Sequence, residues 1–382
     1  MTRTSVLVVT RWLCEPADNG ARIRRAQLLG ALSESFDLRI IALLDSPPDP
    51  ADIARVPAQV DVIAQPRFDP SAWRSMLAFA RRTPRAVIAT DSGEAHARIG
   101  EVLDRDRPVL IIADEIHTAH YALGRGVPVI VEELQVGQLV DDRSRRGRIT
   151  WAKNRDYHRR VLGAATMSTT PSSVERDRLR SLLPSARIEV VSNGVDSERL
   201  RPDANVPIDG DRLIYAGSPQ FDANLDAVVW FADHVLPIIC RSRPSTRLIV
   251  TGATDGVELP TLDGVEFVGR VDDVADAIRR SSLSVVPLRR GGGTRIKVLE
   301  SLALGTPVVS STKGVEGLGC SSAEVAVADA PAPFARAVLG LLDDPARRRD
   351  QVRAGREFAV RNDWGPIRVH FVDLVHQVAT AP

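Results

Sequence analysis

Short runs of valine, isoleucine and leucine recur along the chain, each followed by a longer stretch with apolar residues every three or four positions. The runs at 6–9, 38–44, 60–64, 109–112, 127–131, 165–168 and 188–191 predict strands. So do those at 212–216, 247–250, 265–268, 283–286, 307–309 and 325–328. Between them, helical spacing covers 20–33, 70–82, 94–104 and 171–183, then 225–240, 271–280, 294–304, 333–342 and 345–360. Residues 45–57 are rich in proline and read as exposed coil. Uniformly apolar strands alternating with helices predict α/β architecture with parallel sheets covered on both faces.

A chain of 382 residues is too long for one ordinary core. The polar stretch 199–210, with Pro202, Asp203, Pro207, Asp209 and Gly210, predicts the boundary. The expected division is 1–203, 204–363 and a final helix, 364–382, that returns to the first domain. Two doubly wound, Rossmann-like domains bind ligands at the carboxyl ends of their strands, so a cleft between facing sheets is the expected site.

Composition narrows the function. A net charge of +1 and an aromatic content of 4% argue against a nucleic-acid partner. Cys14, Cys240 and Cys320 share no metal-ligand spacing, and no carboxylate pair sits on a glycine-rich turn, so no metal is expected. The apolar run 5–10 is too short for a signal peptide core, and no run approaches a membrane span. A cytoplasmic protein is expected. Residues 141–160 carry eight Lys/Arg against three Asp, which reads as a solvated face or as a patch for peripheral contact with the inner face of a membrane.

The most informative segment is Arg289-Arg290-Gly291-Gly292-Gly293-Thr294-Arg295-Ile296-Lys297-Val298-Leu299-Glu300. Glycines between a strand and a helix let backbone N–H groups approach a ligand. The helix dipole is positive there, yet Arg295 and Lys297 add two more cations. Cations at that end cost about 0.3–1 kcal/mol each, so an anion is expected, and a diphosphate fits. Glu300 lies about two turns further on, placed for a ribose rather than the same phosphate.

These residues resemble the donor domain of GT-B glycosyltransferases, in particular the retaining family 4. The resemblance runs through residues 214–218 with Asn224, 250–252, 267–271, the glycine-rich run, 300–310 and 314–318. The first half fits more loosely through 18–22 and 191–196. The resemblance implies transfer of a sugar from a nucleoside diphosphate, with retention and without a metal, to a small-molecule, glycan or lipid-linked acceptor. No cofactor beyond the nucleotide-sugar co-substrate is expected.

The implied donor site comprises Gly217, Arg270, Val271, Gly292, Gly293, Thr294, Glu300 and Glu316, with Arg295 and Lys297 on the diphosphate. His117 is placed near the donor sugar, and Gly20, Arg22 and Arg24 on the acceptor side, the arginines suiting an anionic acceptor. Many members carry a glutamate where Gly292 stands, and an Arg and a Lys in the loop that here reads Gly217-Ser218-Pro219-Gln220-Phe221-Asp222. Arg295 and Lys297 are expected to supply the missing charge. Two rival functions share the scaffold: a nucleotide-sugar epimerase or hydrolase, and a non-catalytic nucleotide-sugar-binding partner.

Overall fold

The computed structural model describes residues 3–66, 68, 69, 71, 81–136, 145–293 and 295–380. The chain divides into two compact units, 1–192 with 365–382, and 193–364.

The first unit is built on β1 (Ser5–Thr10), β2 (Asp37–Leu44), β3 (Gln59–Ala64), β4 (Leu110–Asp114), β5 (Val129–Glu132), β6 (Met167–Thr170) and β7 (Ile188–Val190). They form one parallel sheet in the order β3-β2-β1-β4-β5-β6-β7. Alternate residues of a strand face opposite sides. Accordingly Leu7 and Val9 enter one core, with Ile41, Ile111 and Val131, while Val6 and Val8 enter another. The helix Trp364–Ala379 covers this second face with Phe371, Leu374, Val375 and Val378.

The second unit carries β8 (Asp209–Ala216), β9 (Arg247–Thr251), β10 (Val265–Gly269), β11 (Ser281–Val286), β12 (Val308–Ser310) and β13 (Ala326–Val327). Its order, β10-β9-β8-β11-β12-β13, repeats the Rossmann-type order of the first six strands of unit one. In each unit the order reverses next to the first strand, between β1 and β4 and between β8 and β11. That reversal opens a crevice at the strands' carboxyl ends, where ligands bind in such sheets.

Units divide at 192/193 rather than within the polar stretch 199–210. Arg356 explains the difference: its guanidinium donates to the carbonyls of Ser197 (2.7 Å), Leu200 (2.8 Å) and Ala303 (2.9 Å). Asp363 accepts from the N–H and hydroxyl of Ser197, so residues 193–200 belong to unit two despite their polarity.

Three helical expectations change. Residues 45–57 include a helix, Pro50–Arg55, because Asp49 caps the Ala51 N–H and a proline opens the first turn. The expected helix 225–240 is broken at Val235, where Leu236–Cys240 restarts with Pro237 in its first turn. The charged run contains the helix Arg145–Ala164, whose buried face holds Tyr157, His158, Val161 and Leu162. The expected helix 70–82 falls almost wholly outside the described residues, as do 141–144 of the charged run. Residues 222–240 are long and apolar enough to cross a membrane by composition, but Ala227, Val228, Trp230 and Phe231 are buried in the core of unit two.

Candidate functional site

In unit two the glycine-rich loop leaves β11 and the loop 217–221 leaves β8, so both emerge at the crevice. Gly252, at the end of β9, has φ +116°, and a Cβ there would sit 2.6 Å from the backbone of Ser218. The two loops after β8 and β9 are therefore in direct contact.

The glycine-rich loop is pinned at one end by its arginines. Arg289 donates to Asp226 at 3.0 and 2.5 Å, and Arg290 to Asp222 at 3.0 Å, both aspartates on the helix Asp222–His234. Gly291 and Gly293 then adopt φ +103° and +83°, which side chains resist. Among the described residues, none accepts a backbone hydrogen bond from the N–H groups of Gly291, Gly292 or Gly293. Arg295 turns back on its own loop, donating to the carbonyls of Gly291 (3.0 Å) and Gly292. Its guanidinium thus braces the loop beside the helix Ile296–Ala303. Thr294 lies outside the described residues.

Lys297 reaches under the end of β8. Its Nζ donates to Tyr215 Oη at 2.9 Å and Asn224 Oδ1 at 3.2 Å, and lies 4.0 Å from the Tyr215 ring centroid. Gly217 leaves room for it, since a Cβ there would overlap Nζ. The Gly217 N–H is itself engaged, donating to Thr251 O at 3.2 Å. Burial pushes the Lys297 amine down to about 7, helped by Arg295 and opposed by Glu300. Burial also raises the Glu300 carboxyl, against the pull of Arg199 and Lys297.

The other donor-side residues spread along the sheet. Arg270 is exposed and Val271 half-buried after β10, two strands beyond β8, roughly 10 Å away. Glu316 follows β12 and accepts from Lys313 Nζ at 2.6 Å. Glycine N–H groups with no backbone acceptor among the described residues and the Lys297 amine are the groups at this crevice suited to an anion.

In unit one the sequence reading needs correction at Arg24. Gly20 opens the helix Gly20–Ser35 after β1, capped by Asn19, whose Oδ1 accepts from the Arg22 N–H at 3.1 Å. Arg22 pairs with Asp18 at 3.0 Å. Arg24 is fully buried, donating to Glu132 at 3.0 and 2.6 Å and to Val191 O at 2.8 Å, so it cannot serve an anionic acceptor at the surface.

Its neighbour Arg25 is the residue the sequence reading missed. At the crevice of unit one it pairs with Asp114 and with Glu115 at 2.8 Å, while Glu133 lies at 3.8 Å. Thr10, at the end of β1, donates to Asp114 at 2.5 Å. The doublets Asp114-Glu115 and Glu132-Glu133, each closing an apolar strand, were the available signal. Glu115 and Glu133 hold φ +66° and +54°, uncommon for side-chain-bearing residues.

Burial pushes the Glu133 carboxyl up to about 8; Arg24 opposes this and Glu132 reinforces it. A raised carboxyl keeps its proton when folded after losing it unfolded, so its contribution is lost as pH rises from about 4.5 to 8. Glu133→Gln is therefore expected to gain thermal stability over the natural chain progressively from about pH 5 to about pH 8.5, with no further gain above. A difference in Tm that does not depend on pH would contradict this.

His117 is half-buried, and burial, then Arg11, His158 and His120, push it down to about 4, so it is neutral near pH 7. Beside it His120 and His96 share Asp91 Oδ1 at 3.1 and 2.9 Å, and Arg125 reaches His96 Nδ1 at 2.8 Å. Those three ligating groups could hold a cation only against the Arg125 charge.

Residues 210–344 match the family described as glycosyl transferases group 1. Glycogen synthase of Mycobacterium tuberculosis is 29% identical over 197 residues, covering 47% of this chain and 46% of that protein. Phosphatidyl-myo-inositol mannosyltransferase of Mycolicibacterium smegmatis is 27% identical over 242 residues, covering 59% and 60%. The chain thus spans about half to three-fifths of the length of these curated relatives. Sucrose-phosphate synthase from Thermosynechococcus elongatus shares the fold over 100% of both chains, with a TM-score of 0.75 and 18% identity. The chain therefore has a GT-B-like fold, and its second unit is similar to group 1 glycosyltransferases across the strands that build the crevice.

Proposed function

We propose that the chain is a retaining family 4 glycosyltransferase that moves a sugar from a nucleoside diphosphate to an acceptor hydroxyl. One observation carries this reading: a loop of positive-φ glycines after β11 and the Lys297 amine, held at the end of β8, both belong to the crevice of a sheet whose residues match group 1 glycosyltransferases. Breaking a sugar–phosphate bond develops negative charge on the leaving diphosphate. Donors fixed in advance around that charge lower the barrier, each by about 2.7–4 kcal/mol in comparable sites.

Gly292 and Gly293 offer backbone donors, and Lys297 supplies the cation. Arg295 serves by holding the loop, since its guanidinium is bonded to the loop's carbonyls. Glu300 receives the ribose hydroxyls, and the backbone at Arg270 and Val271 the base edge. In this reading the lysine and the N–H donors balance the diphosphate and no metal is required. His117, neutral, offers a hydrogen-bonding group rather than a second cation. The acceptor is a small molecule, a glycan or a lipid-linked sugar; in the last case the exposed Arg148, Arg155, Arg159 and Arg160 would face an anionic membrane surface.

A thermal-shift screen of UDP-, GDP-, ADP- and dTDP-sugars tests the reading. The cognate donor at about a hundred times its Kd should stabilise the fold by about 2.7 kcal/mol. Turnover with that donor should survive a chelator and leave the anomeric configuration unchanged by proton NMR. No shift with any of the four nucleotides would remove the basis of the assignment.

A further inference from the structure

The setting of Lys297 is unusual for a cation expected to meet a diphosphate. Both its acceptors, Tyr215 Oη and Asn224 Oδ1, are neutral, and no carboxylate among the described residues lies within ion-pair distance of Nζ. Tyr215 Oη donates in turn to Asn224 Oδ1 at 2.6 Å, and Asn224 Nδ2 donates to Ser218 O at 2.8 Å. That chain of bonds fixes the amide with its oxygen toward the lysine.

The charged groups around it are few. Arg295, at the start of the same helix, opposes a positive charge, and Glu300 along that helix favours one, while Arg199 faces Glu300. On the helix Asp222–His234, Asp222 and Asp226 are already held by Arg290 and Arg289. From β8 comes only the Tyr215 hydroxyl, itself driven upward by burial and so neutral.

A neutral amine has two N–H bonds, and here two acceptors await them. A third N–H exists only after protonation, and it is the one left for a ligand. We infer that donor binding is coupled to uptake of one proton by Lys297, with Tyr215 and Asn224 as positioning residues that hold the amine beforehand. The proton comes from solvent and ends on Nζ; no bond of the sugar nucleotide changes in this step. The inference rests on the reading of this crevice as the diphosphate site. The amine's position near 7 agrees with it, because a diphosphate alongside favours the charged form.

The test is calorimetric titration of the full chain with whichever of UDP-glucose, GDP-mannose, ADP-glucose or dTDP-glucose gives the largest thermal shift. Buffers of differing ionisation enthalpy report the protons exchanged. The diphosphate of a nucleotide sugar does not itself titrate between about pH 6 and about pH 9. Uptake should be small at about pH 6, about half a proton at pH 7 and close to one at about pH 8.5. Lys297→Gln should abolish it. Asn224→Asp, by placing a carboxylate on the amine, should move the midpoint above about pH 8, and Tyr215→Phe should move it down. Binding without uptake, or with uptake that survives Lys297→Gln, overturns the inference while leaving the diphosphate site intact. Failure of all four nucleotide sugars to bind overturns the diphosphate site itself, and the inference with it.

Discussion

Lys297→Ala is expected to lower kcat/KM by about two to three decades, the equivalent of about 2.7–4 kcal/mol of transition-state stabilisation. The reason is geometric. The amine is held in place before any ligand arrives, by Tyr215 at 2.9 Å and Asn224 at 3.2 Å, so little reorganisation is needed when charge appears on the leaving group. Lys297→Arg should fail to rescue. A planar guanidinium is larger than an ammonium, and Gly217 leaves space too small even for a methyl group beside Nζ. Gly217→Ala should therefore mimic the lysine variants in activity. Its added carbon meets the movable end of Lys297 first and the Tyr215 ring at 3.0 Å next. Steady-state kinetics with the cognate donor, alongside circular dichroism to confirm folding, decide the matter. A loss under about threefold in a folded Lys297→Ala protein would remove the lysine from the reaction.

Much of this site was legible from the chain alone, and the parts that were not share a cause. Strands that are apolar throughout announce a buried parallel sheet, so all thirteen runs mark strands that form, seven in one sheet and six in the other. The glycine-rich loop was legible because its chemistry is local: strand, glycines and helix follow one another in sequence. Residues whose roles depend on distant partners were not. Arg295 looked like a ligand for phosphate because periodicity does not show that its guanidinium folds back on Gly291 and Gly292. The cradle for Lys297 is made by residues 82 and 73 positions away, Tyr215 and Asn224. Asn224 entered the reading only through family likeness, with no role attached. The helix Arg145–Ala164 was missed for a different reason. Its polar residues far outnumber its buried ones, so the charge run masked the face carrying Tyr157, Val161 and Leu162.

Arg24 shows the same limit most sharply and carries the second large effect. Arg24→Ala is expected to destabilise unit one by about 3–5 kcal/mol, because removing one partner leaves the buried Glu132 charge uncompensated. For a unit of this size each kcal/mol is worth about 2–4 °C, so Tm should fall by roughly 6–20 °C. Burial, reinforced by Asp114, raises the Glu132 carboxyl, with Arg24 the main group opposing it. Without the arginine that carboxyl takes up a proton, so the loss should be smaller below about pH 5 than at about pH 8. Replacing both partners, as Arg24→Met with Glu132→Leu, should restore most of the stability, since an apolar pair of similar volume suits the same space. The nucleotide affinity of unit two should not change in any of these variants. An acceptor role for Arg24 makes the opposite forecast: Tm within about 2 °C of the natural chain, the range of a surface change, and a raised KM for acceptor alone. The two outcomes cannot both occur, and differential scanning calorimetry at the two pH values separates them before any acceptor is known.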